Sequence, residues 1–219
     1  MVAIDGPAGA GKGTVARLLA ERLGYRLLDT GAMYRAVALS VMRARVDPGD
    51  ANALARHLDR IDVSLDDERV RLDGEDVSGA IRTQEVSQLT STLAMRPTVR
   101  AKVTPFQQRA ASAGGVVIEG RDTGTVVCPD AEVKFYLTAS LDTRARRRYL
   151  EVTAQGAAVS YEQVRLEVAA RDAQDANRAV APLRRADDAI EVDTTSLSVD
   201  EVVGRMLKIV GERRCCTRS

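Results

Sequence analysis

The spacing of apolar and polar residues along the chain predicts an α/β protein. Residues 2–5 form a short apolar run, a glycine-rich stretch follows, and apolar positions then recur every three or four residues across 15–23. The run is typical of a buried strand, the spacing is typical of one buried helix face, and Gly24 is a usual helix stop. A second apolar run at residues 25–28 completes a strand–helix–strand unit with parallel strands, and a loop and a further helix are expected after it.

Further apolar runs extend the predicted sheet. They lie at residues 116–119, 133–137 and 189–192. Continuous apolar runs of this length are typical of strands that are covered on both faces. With the two strands above, they predict a central parallel sheet of five strands, flanked by helices and completed by a last helix at about 198–209.

Residues 61–77 do not follow this pattern of continuous apolar runs and helical spacing. Apolar residues occupy every other position there, and the pairs Asp66-Asp67 and Asp73-Gly74 interrupt them. This pattern predicts a small antiparallel meander inserted in the α/β core, although a surface hairpin without a role is an alternative interpretation. Residues 87–109 follow as a helical segment interrupted at Pro97, which can begin a helix but not continue one.

Composition and charge narrow the class of protein. The chain has 219 residues, 45% of them hydrophobic, which allows one core with a smaller lobe. A net charge of +1, with only five Tyr and two Phe as aromatic residues, argues against nucleic-acid binding. No run reaches the roughly 18 apolar residues of a membrane span, and no signal peptide is recognisable, so a cytoplasmic protein is expected. The cysteines, Cys128, Cys215 and Cys216, lack metal-ligand spacing.

The strongest candidate chemistry lies in the glycine-rich stretch, which reads Gly6-Pro7-Ala8-Gly9-Ala10-Gly11-Lys12-Gly13-Thr14. Glycines let the backbone bend so that successive N–H groups converge, and the following helix N-terminus adds positive charge, so the stretch is expected to bind ATP. Lys12 would reach the β and γ phosphates, and Thr14 would hold Mg²⁺ directly or through water. Gly13 stands where the general motif has Ser or Thr, and this form resembles the nucleoside monophosphate kinases.

Other motifs make the resemblance more specific. They are Leu28-Asp29-Thr30-Gly31-Ala32-Met33-Tyr34-Arg35, then Gly120-Arg121-Asp122 with Gly124-Thr125, and finally Asn177-Arg178-Ala179-Val180-Ala181-Pro182-Leu183. With the phosphate loop and the inserted meander, the chain resembles the bacterial cytidylate kinase family over nearly its whole length. The resemblance implies one domain with a P-loop kinase fold: a core of residues 1–36, 83–143 and 180–210, a CMP-binding lobe at about 37–82 and a mobile lid at about 144–179.

The resemblance also implies an activity. A member would transfer the γ-phosphoryl group of ATP to CMP or dCMP in pyrimidine nucleotide metabolism, with Mg²⁺ bound to ATP. It would be a cytoplasmic monomer whose partners are these small molecules, without nucleic acid or membrane. Kinases with the same loop that act on adenylate, uridylate or shikimate are the nearest alternative, and a nucleotide-binding switch with slow hydrolysis is a more distant one.

Residue roles follow from the resemblance. Arg144 and Arg148 of the lid would bind ATP. Asp122 would accept a hydrogen bond from the cytosine amino group, which disfavours uracil because uracil has a carbonyl oxygen there. Asp175 would contact the sugar or orient Arg171. The residues implied to bind CMP are Thr30, Arg35, Ser91, Arg100, Arg121, Asp122, Arg171, Asp175 and Arg178, and those implied to be catalytic are Lys12, Arg121, Arg171 and Arg178.

Several of these residues also have ordinary structural interpretations. Taken alone, Arg35 and Arg100 are surface charges, and the lid arginines are typical of a solvated helix face. Residues 171–178 allow ion pairs along one helix face. Glu119 either supports Mg²⁺ through water or is a structural carboxylate. His57, the single histidine, is predicted to be structural or exposed.

Overall fold

The computed structural model describes residues 1–66, 69–154 and 156–216. Eight strands and eight α-helices lie in these described ranges. The strands are β1 (Val2–Asp5), β2 (Arg26–Asp29), β3 (Val63–Asp66), β4 (Arg69–Leu72), β5 (Glu75–Asp76), β6 (Val116–Glu119), β7 (Val133–Thr138) and β8 (Ile190–Asp193). The helices are α1 (Lys12–Leu23), α2 (Thr30–Arg43), α3 (Ala51–Leu58), α4 (Gln84–Leu93), α5 (Pro97–Ser112), α6 (Leu141–Ala154), α7 (Tyr161–Asn177) and α8 (Val199–Cys216).

The larger sheet has five strands in the order β2, β6, β1, β7, β8. Strand β1 pairs in parallel with β6 and β7, and β7 pairs in parallel with β8. All four residues of β1 are buried, as its continuous apolar pattern predicts for a strand in the middle of a parallel sheet. The predicted parallel sheet of five strands is therefore confirmed.

The chain divides into two compact units. Residues 1–25 with 117–219 form the first unit, and residues 26–116 form the second. In the first unit α1 packs against α8, and α6 packs against α7. A small apolar cluster of Val152, Val164 and Val168 joins α6 to α7, and α7 begins with a capping box. The predicted division into core, CMP-binding lobe and lid remains a prediction.

The second unit contains the predicted antiparallel meander. Strands β3, β4 and β5 form a three-stranded antiparallel sheet, and the buried side chains of Val63, Val70 and Leu72 join a core with α2. Asp67, in the predicted turn pair, lies outside the described residues. The Nε2 atom of His57 lies 3.1 Å from the hydroxyl oxygen of Ser40, which supports a structural role for this histidine.

Two helix boundaries differ from the expected ones. The predicted loop before α2 is absent, because the helix begins directly after β2 and the Asp29 side chain caps it by accepting a hydrogen bond from Ala32 N at 2.9 Å. Helix α8 runs past the expected end near residue 209, although the side chains of Cys215 and Cys216 lie outside the described residues. Pro97 begins α5, as predicted. Within the described part of the chain, no helix is long and apolar enough to cross a membrane.

Candidate active site

The phosphate loop follows β1. At two positions it passes so close to neighbouring residues that only glycine fits. Gly6 has φ of 147°, and a Cβ there would lie 2.0 Å from the Leu137 carbonyl oxygen. Gly9 has φ of 75°, and its Cβ would lie 2.9 Å from the Cβ of Arg144. Any larger residue at either place would push the loop away from β7 or α6. The loop leads directly into α1, so backbone N–H groups and a helix N-terminus meet at one place, as an anion site requires.

Lys12 is buried at the start of α1. Its side chain is only 5% exposed, and its Nζ donates a hydrogen bond to the Pro7 carbonyl at 2.8 Å. Burial lowers the pKa of Lys12 to about 7; the positive charge of Arg121 acts in the same direction, and Glu119 opposes it. An anionic phosphate placed at this ammonium would favour its charged form.

Asp5 holds the turn that follows β6. Its carboxylate, at the end of β1, accepts hydrogen bonds from Thr123 N and Thr123 Oγ1, both at 2.8 Å, and from Gly124 N at 2.7 Å. Burial raises the pKa of Asp5, while these hydrogen bonds act against the rise. The role of Asp5 was not predicted, although an acidic residue at the end of a buried strand was a signal for it.

The turn held by Asp5 carries Arg121 and Asp122. Arg121 Nε donates to Asp175 Oδ2 on α7 at 2.9 Å. Burial disfavours its charge, yet Asp175 and other carboxylates keep the pKa of Arg121 above its usual value. The structure therefore pairs Asp175 with Arg121, a partner that was not predicted, while contact with the sugar and orientation of Arg171 remain predictions for Asp175.

Asp122 and Arg178 form a buried ion pair. Arg178 Nη2 lies 3.1 Å from Asp122 Oδ1, and the two side chains are 4% and 9% exposed. Arg178 follows the last residue of α7, and its Nε donates to the Ala181 carbonyl. The segment after α7 thus folds back, and Arg178 Nη1 also lies 4.0 Å from Asp175 Oδ1, one of the ion pairs that the helix-face interpretation allowed. Asp122 is already hydrogen-bonded before any cytosine is present.

The arginines of α6 divide into different roles. Arg144 is buried; its Nη1 donates to the Ala8 carbonyl at 3.1 Å and also pairs with Asp172 on α7. Arg148, the second arginine predicted to bind ATP, pairs with Glu151 on its own helix at 2.9 Å. Arg147 contacts the loop instead, since its Nη1 lies 3.4 Å from the Gly9 carbonyl oxygen. The run of adjacent arginines in the sequence did not indicate which of them faces the loop.

The second unit holds the other residues implied to bind CMP. Thr30 is buried at the start of α2, and its carbonyl accepts from Gln107 Nε2 on α5 at 3.4 Å. Arg35, also on α2, lies 3.7 Å from Asp29, at the end of β2. A hydroxyl and a guanidinium are thus placed near the start of one helix.

Arg100 and Ser91 lie on neighbouring helices of this unit. Arg100 is buried on α5, and its guanidinium carbon lies 5.7 Å from the centre of the Tyr34 ring, a distance typical of a cation–π contact. Burial contradicts the interpretation of Arg100 as a surface charge. The Ser91 hydroxyl donates to the Ser87 carbonyl within α4 at 3.4 Å. Tyr34, within the family motif, was missed as a partner of Arg100.

The residues near Lys12 suit a magnesium ion carried by phosphates. Thr14 is exposed in the first turn of α1, and a Glu119 carboxylate oxygen lies 3.6 Å from where a Cβ on Gly13 would be. Both side chains offer oxygen ligands, which Mg²⁺ prefers, and it commonly takes only one or two from the protein. Across the described ranges no group of three or more His, Cys, Asp or Glu side chains has metal-binding geometry.

Comparison with known sequences gives matches over nearly the whole chain. The sequence model of the family described as cytidylate kinase matches residues 2–212. A cytidylate kinase from Geobacter sulfurreducens is 50% identical in an alignment 221 residues long, which covers 99% of this chain and 95% of that protein. A cytidylate kinase from Bacillus subtilis is 47% identical over 216 residues, which cover 97% of this chain and 96% of that protein.

Comparison with solved structures supports the fold. Shikimate kinase from Bacteroides thetaiotaomicron superposes with a TM-score of 0.50 at 11% identity, covering 96% of this chain and 97% of that one. An uncharacterised protein from Eubacterium ventriosum gives the same TM-score at 13% identity, with the same coverage. At these identities the likeness concerns the fold alone, and it confirms the predicted P-loop kinase architecture.

Proposed function

The chain belongs to the cytidylate kinase family, and on this premise we propose that it transfers the γ-phosphoryl group of ATP to CMP or dCMP. The products are ADP and CDP or dCDP. The observation that carries the proposal is the cluster beside the phosphate loop, where Lys12 lies within the electrostatic influence of Arg121, Glu119 and Arg171. A group of cations next to a polyphosphate loop, with Lys12 buried and the two arginines half-buried, is suited to phosphoryl transfer.

The proposed chemistry needs neither a protein nucleophile nor a general base. The acceptor phosphate is already anionic, so the protein has to align it with the γ-phosphate and to stabilise the charge that spreads over the transferred oxygens. Lys12 and the loop N–H groups would bind the donor phosphates. Arg121, Arg171 and Arg178 would bind the acceptor phosphate and the transferred group, because planar guanidinium groups bind phosphate through two hydrogen bonds.

Selection of cytosine is proposed to depend on Asp122. A carboxylate accepts hydrogen bonds only, so it suits the amino group of cytosine and repels the carbonyl oxygen of uracil. Arg178 Nη2 donates a hydrogen bond to Asp122 Oδ1 at 3.1 Å, which fixes the orientation of the carboxylate. The amino group of cytosine would donate to this oriented carboxylate.

Magnesium would enter with ATP. Thr14 and Glu119 are the residues proposed to hold it, directly or through water, and it would neutralise charge on the β and γ phosphates. We also propose that the protein acts in the cytoplasm as a monomer, on small-molecule substrates and without nucleic acid or a membrane. The net charge of +1 supports the absence of a nucleic-acid partner.

An acceptor panel tests this function. ADP release from Mg·ATP is measured in a coupled assay with CMP, dCMP, UMP, AMP and shikimate at equal concentrations. Rapid turnover with CMP and dCMP, and slow turnover with the other three, is the expected result. Preferential turnover of UMP, AMP or shikimate would keep the phosphate-loop chemistry but overturn the proposed acceptor. Hydrolysis that no acceptor stimulates would favour the nucleotide switch.

A further inference from the structure

Side chains from two distant elements hold the carbonyl groups of the phosphate loop. The Ala8 carbonyl accepts a hydrogen bond from Arg144 Nη1 on α6 at 3.1 Å, and the Ala10 carbonyl accepts one from Thr194 Oγ1, after β8, also at 3.1 Å. In a trans peptide the carbonyl and the following N–H point in opposite directions. Fixing these carbonyls therefore fixes the N–H groups of Gly9 and Gly11 on the other side of the loop, where phosphate would bind.

The Thr194 hydroxyl has only one arrangement of its proton that satisfies both neighbours. Arg147 Nη1 lies 3.0 Å from Thr194 Oγ1, and an arginine can only donate. The hydroxyl oxygen therefore accepts from Arg147, which leaves its single proton for the Ala10 carbonyl. Arg147 Nη2 also donates to the Thr194 carbonyl at 2.7 Å, so this guanidinium holds Thr194 at two points.

The Thr194 backbone is attached to the central sheet. Thr194 N donates to the Thr138 carbonyl, at the end of β7, at 2.8 Å, and the residue is 2% exposed. The same end of β7 makes the close approach to Gly6 described above, through Leu137. The end of β7 thus positions the phosphate loop at two places. It contacts the beginning of the loop directly at Gly6, and it holds the later part through Thr194.

We propose that Thr194 is a positioning residue for the phosphate loop, whose hydroxyl, oriented by Arg147, aims the Gly11 N–H at the donor phosphates. Preorganised N–H groups bind an anion without first having to reorient, which strengthens both binding and charge stabilisation. The inference rests on the proposed function only in taking ATP as the donor.

Kinetics of matched variants test the proposal. Thr194→Val keeps the shape and removes the donor, so kcat/KM for ATP is expected to fall about fivefold, the equivalent of one ordinary hydrogen bond, while KM for CMP stays unchanged. Thr194→Ser keeps the hydroxyl and is expected to restore kcat/KM for ATP. Thr195→Val is the control, because that neighbouring hydroxyl bonds to Ser140 N and to Asp193 Oδ1, which both lie outside the phosphate loop.

Calorimetry with tripolyphosphate separates this inference from the proposed reaction. Tripolyphosphate contains the phosphates without base or acceptor, so Thr194→Val is expected to weaken its binding by the same factor of about five even if the acceptor is not CMP. Equal affinity in wild type and Thr194→Val, equal losses in the Val and Ser variants, or an equal loss in Thr195→Val would each overturn the proposal. If Thr194→Val does not fold, Thr194→Ala removes the same hydroxyl without placing a carbon atom against Ala10.

Discussion

The charge of Lys12 depends strongly on its surroundings. Its ordinary pKa is 10.5, and burial lowers this to about 7 in the folded protein. Between these values the unfolded chain binds a proton at Lys12 that the folded protein does not, so the stability contributed by this group rises with pH from about 7 to 10.5. Near and below pH 7 the folded protein must bury an ammonium, which is unfavourable unless phosphate is present.

Replacement of Lys12 by an uncharged side chain of similar length tests this directly. We expect Lys12→Met to lower kcat by a factor of about a hundred or more, because the negative charge on the transferred phosphoryl group is no longer stabilised by the Lys12 ammonium. The melting temperature of the variant is expected to exceed that of wild type at pH 6, with the difference shrinking as the pH approaches 10. Activity assays and thermal melts across this pH range provide the measurement; a variant that melts below wild type at pH 6 would contradict the assignment.

Asp122 is the second residue with a specific expectation. Asp122→Asn replaces one acceptor oxygen by a donor, so it is expected to reduce the preference for CMP over UMP about tenfold or more, because the amide can also donate to a uracil carbonyl. KM for ATP should change little. The values of kcat/KM for both acceptors and KM for ATP are compared with wild type. Equal losses for CMP and ATP would show that Asp122 acts through Arg178 and the protein structure and not through the base.

At the scale of elements, local pattern was sufficient for the strands and for the phosphate loop. The runs at β1, β6 and β7 are mostly apolar, and Pro97 begins α5, so each of these elements carries its own signal. The start of α2 was predicted less well. A loop was expected from Asp29 onwards, whereas Asp29 caps a helix that already begins at Thr30. Capping by Asp is a local effect that the pattern of apolar residues does not reveal.

The turn after β6 is the element for which a stability prediction is sharpest. Asp5→Asn leaves the shape of the side chain but cannot accept from Gly124 N and both groups of Thr123, so a buried donor loses its partner. We expect a loss of about 2 kcal/mol in the free energy of unfolding, together with reduced activity because the turn carries Arg121. Urea unfolding measures the first and the coupled assay the second.

An exposed aspartate on the same unit serves as the control for Asp5. Asp130→Asn changes charge equally at an exposed position, so its free energy of unfolding is expected to stay within about 0.5 kcal/mol of wild type. Similar losses in the two variants would mean that charge alone, and not the hydrogen bonds of Asp5, stabilises the turn.

At the scale of the whole molecule, the sequence was sufficient to identify the family but not to predict which side chains pair with each other. The bond from Thr123 to Asp5 and the bond from Arg121 to Asp175 join residues that are far apart in the chain. No periodicity or motif spacing predicts such pairs, because they depend on which strand ends and helices the fold places side by side. The resemblance identified Asp175 and Arg121 as site residues but not as partners of each other.

The ion pairs of the first unit also affect how the protein responds to a cell full of small anions. Arg144, Arg121 and Arg178 are each held by a carboxylate. An incoming phosphate therefore has to compete at each of these arginines with a carboxylate that is already well placed. Inorganic phosphate and sulfate lack a base or sugar that could compensate for this competition, so we expect them to bind more weakly than a nucleotide.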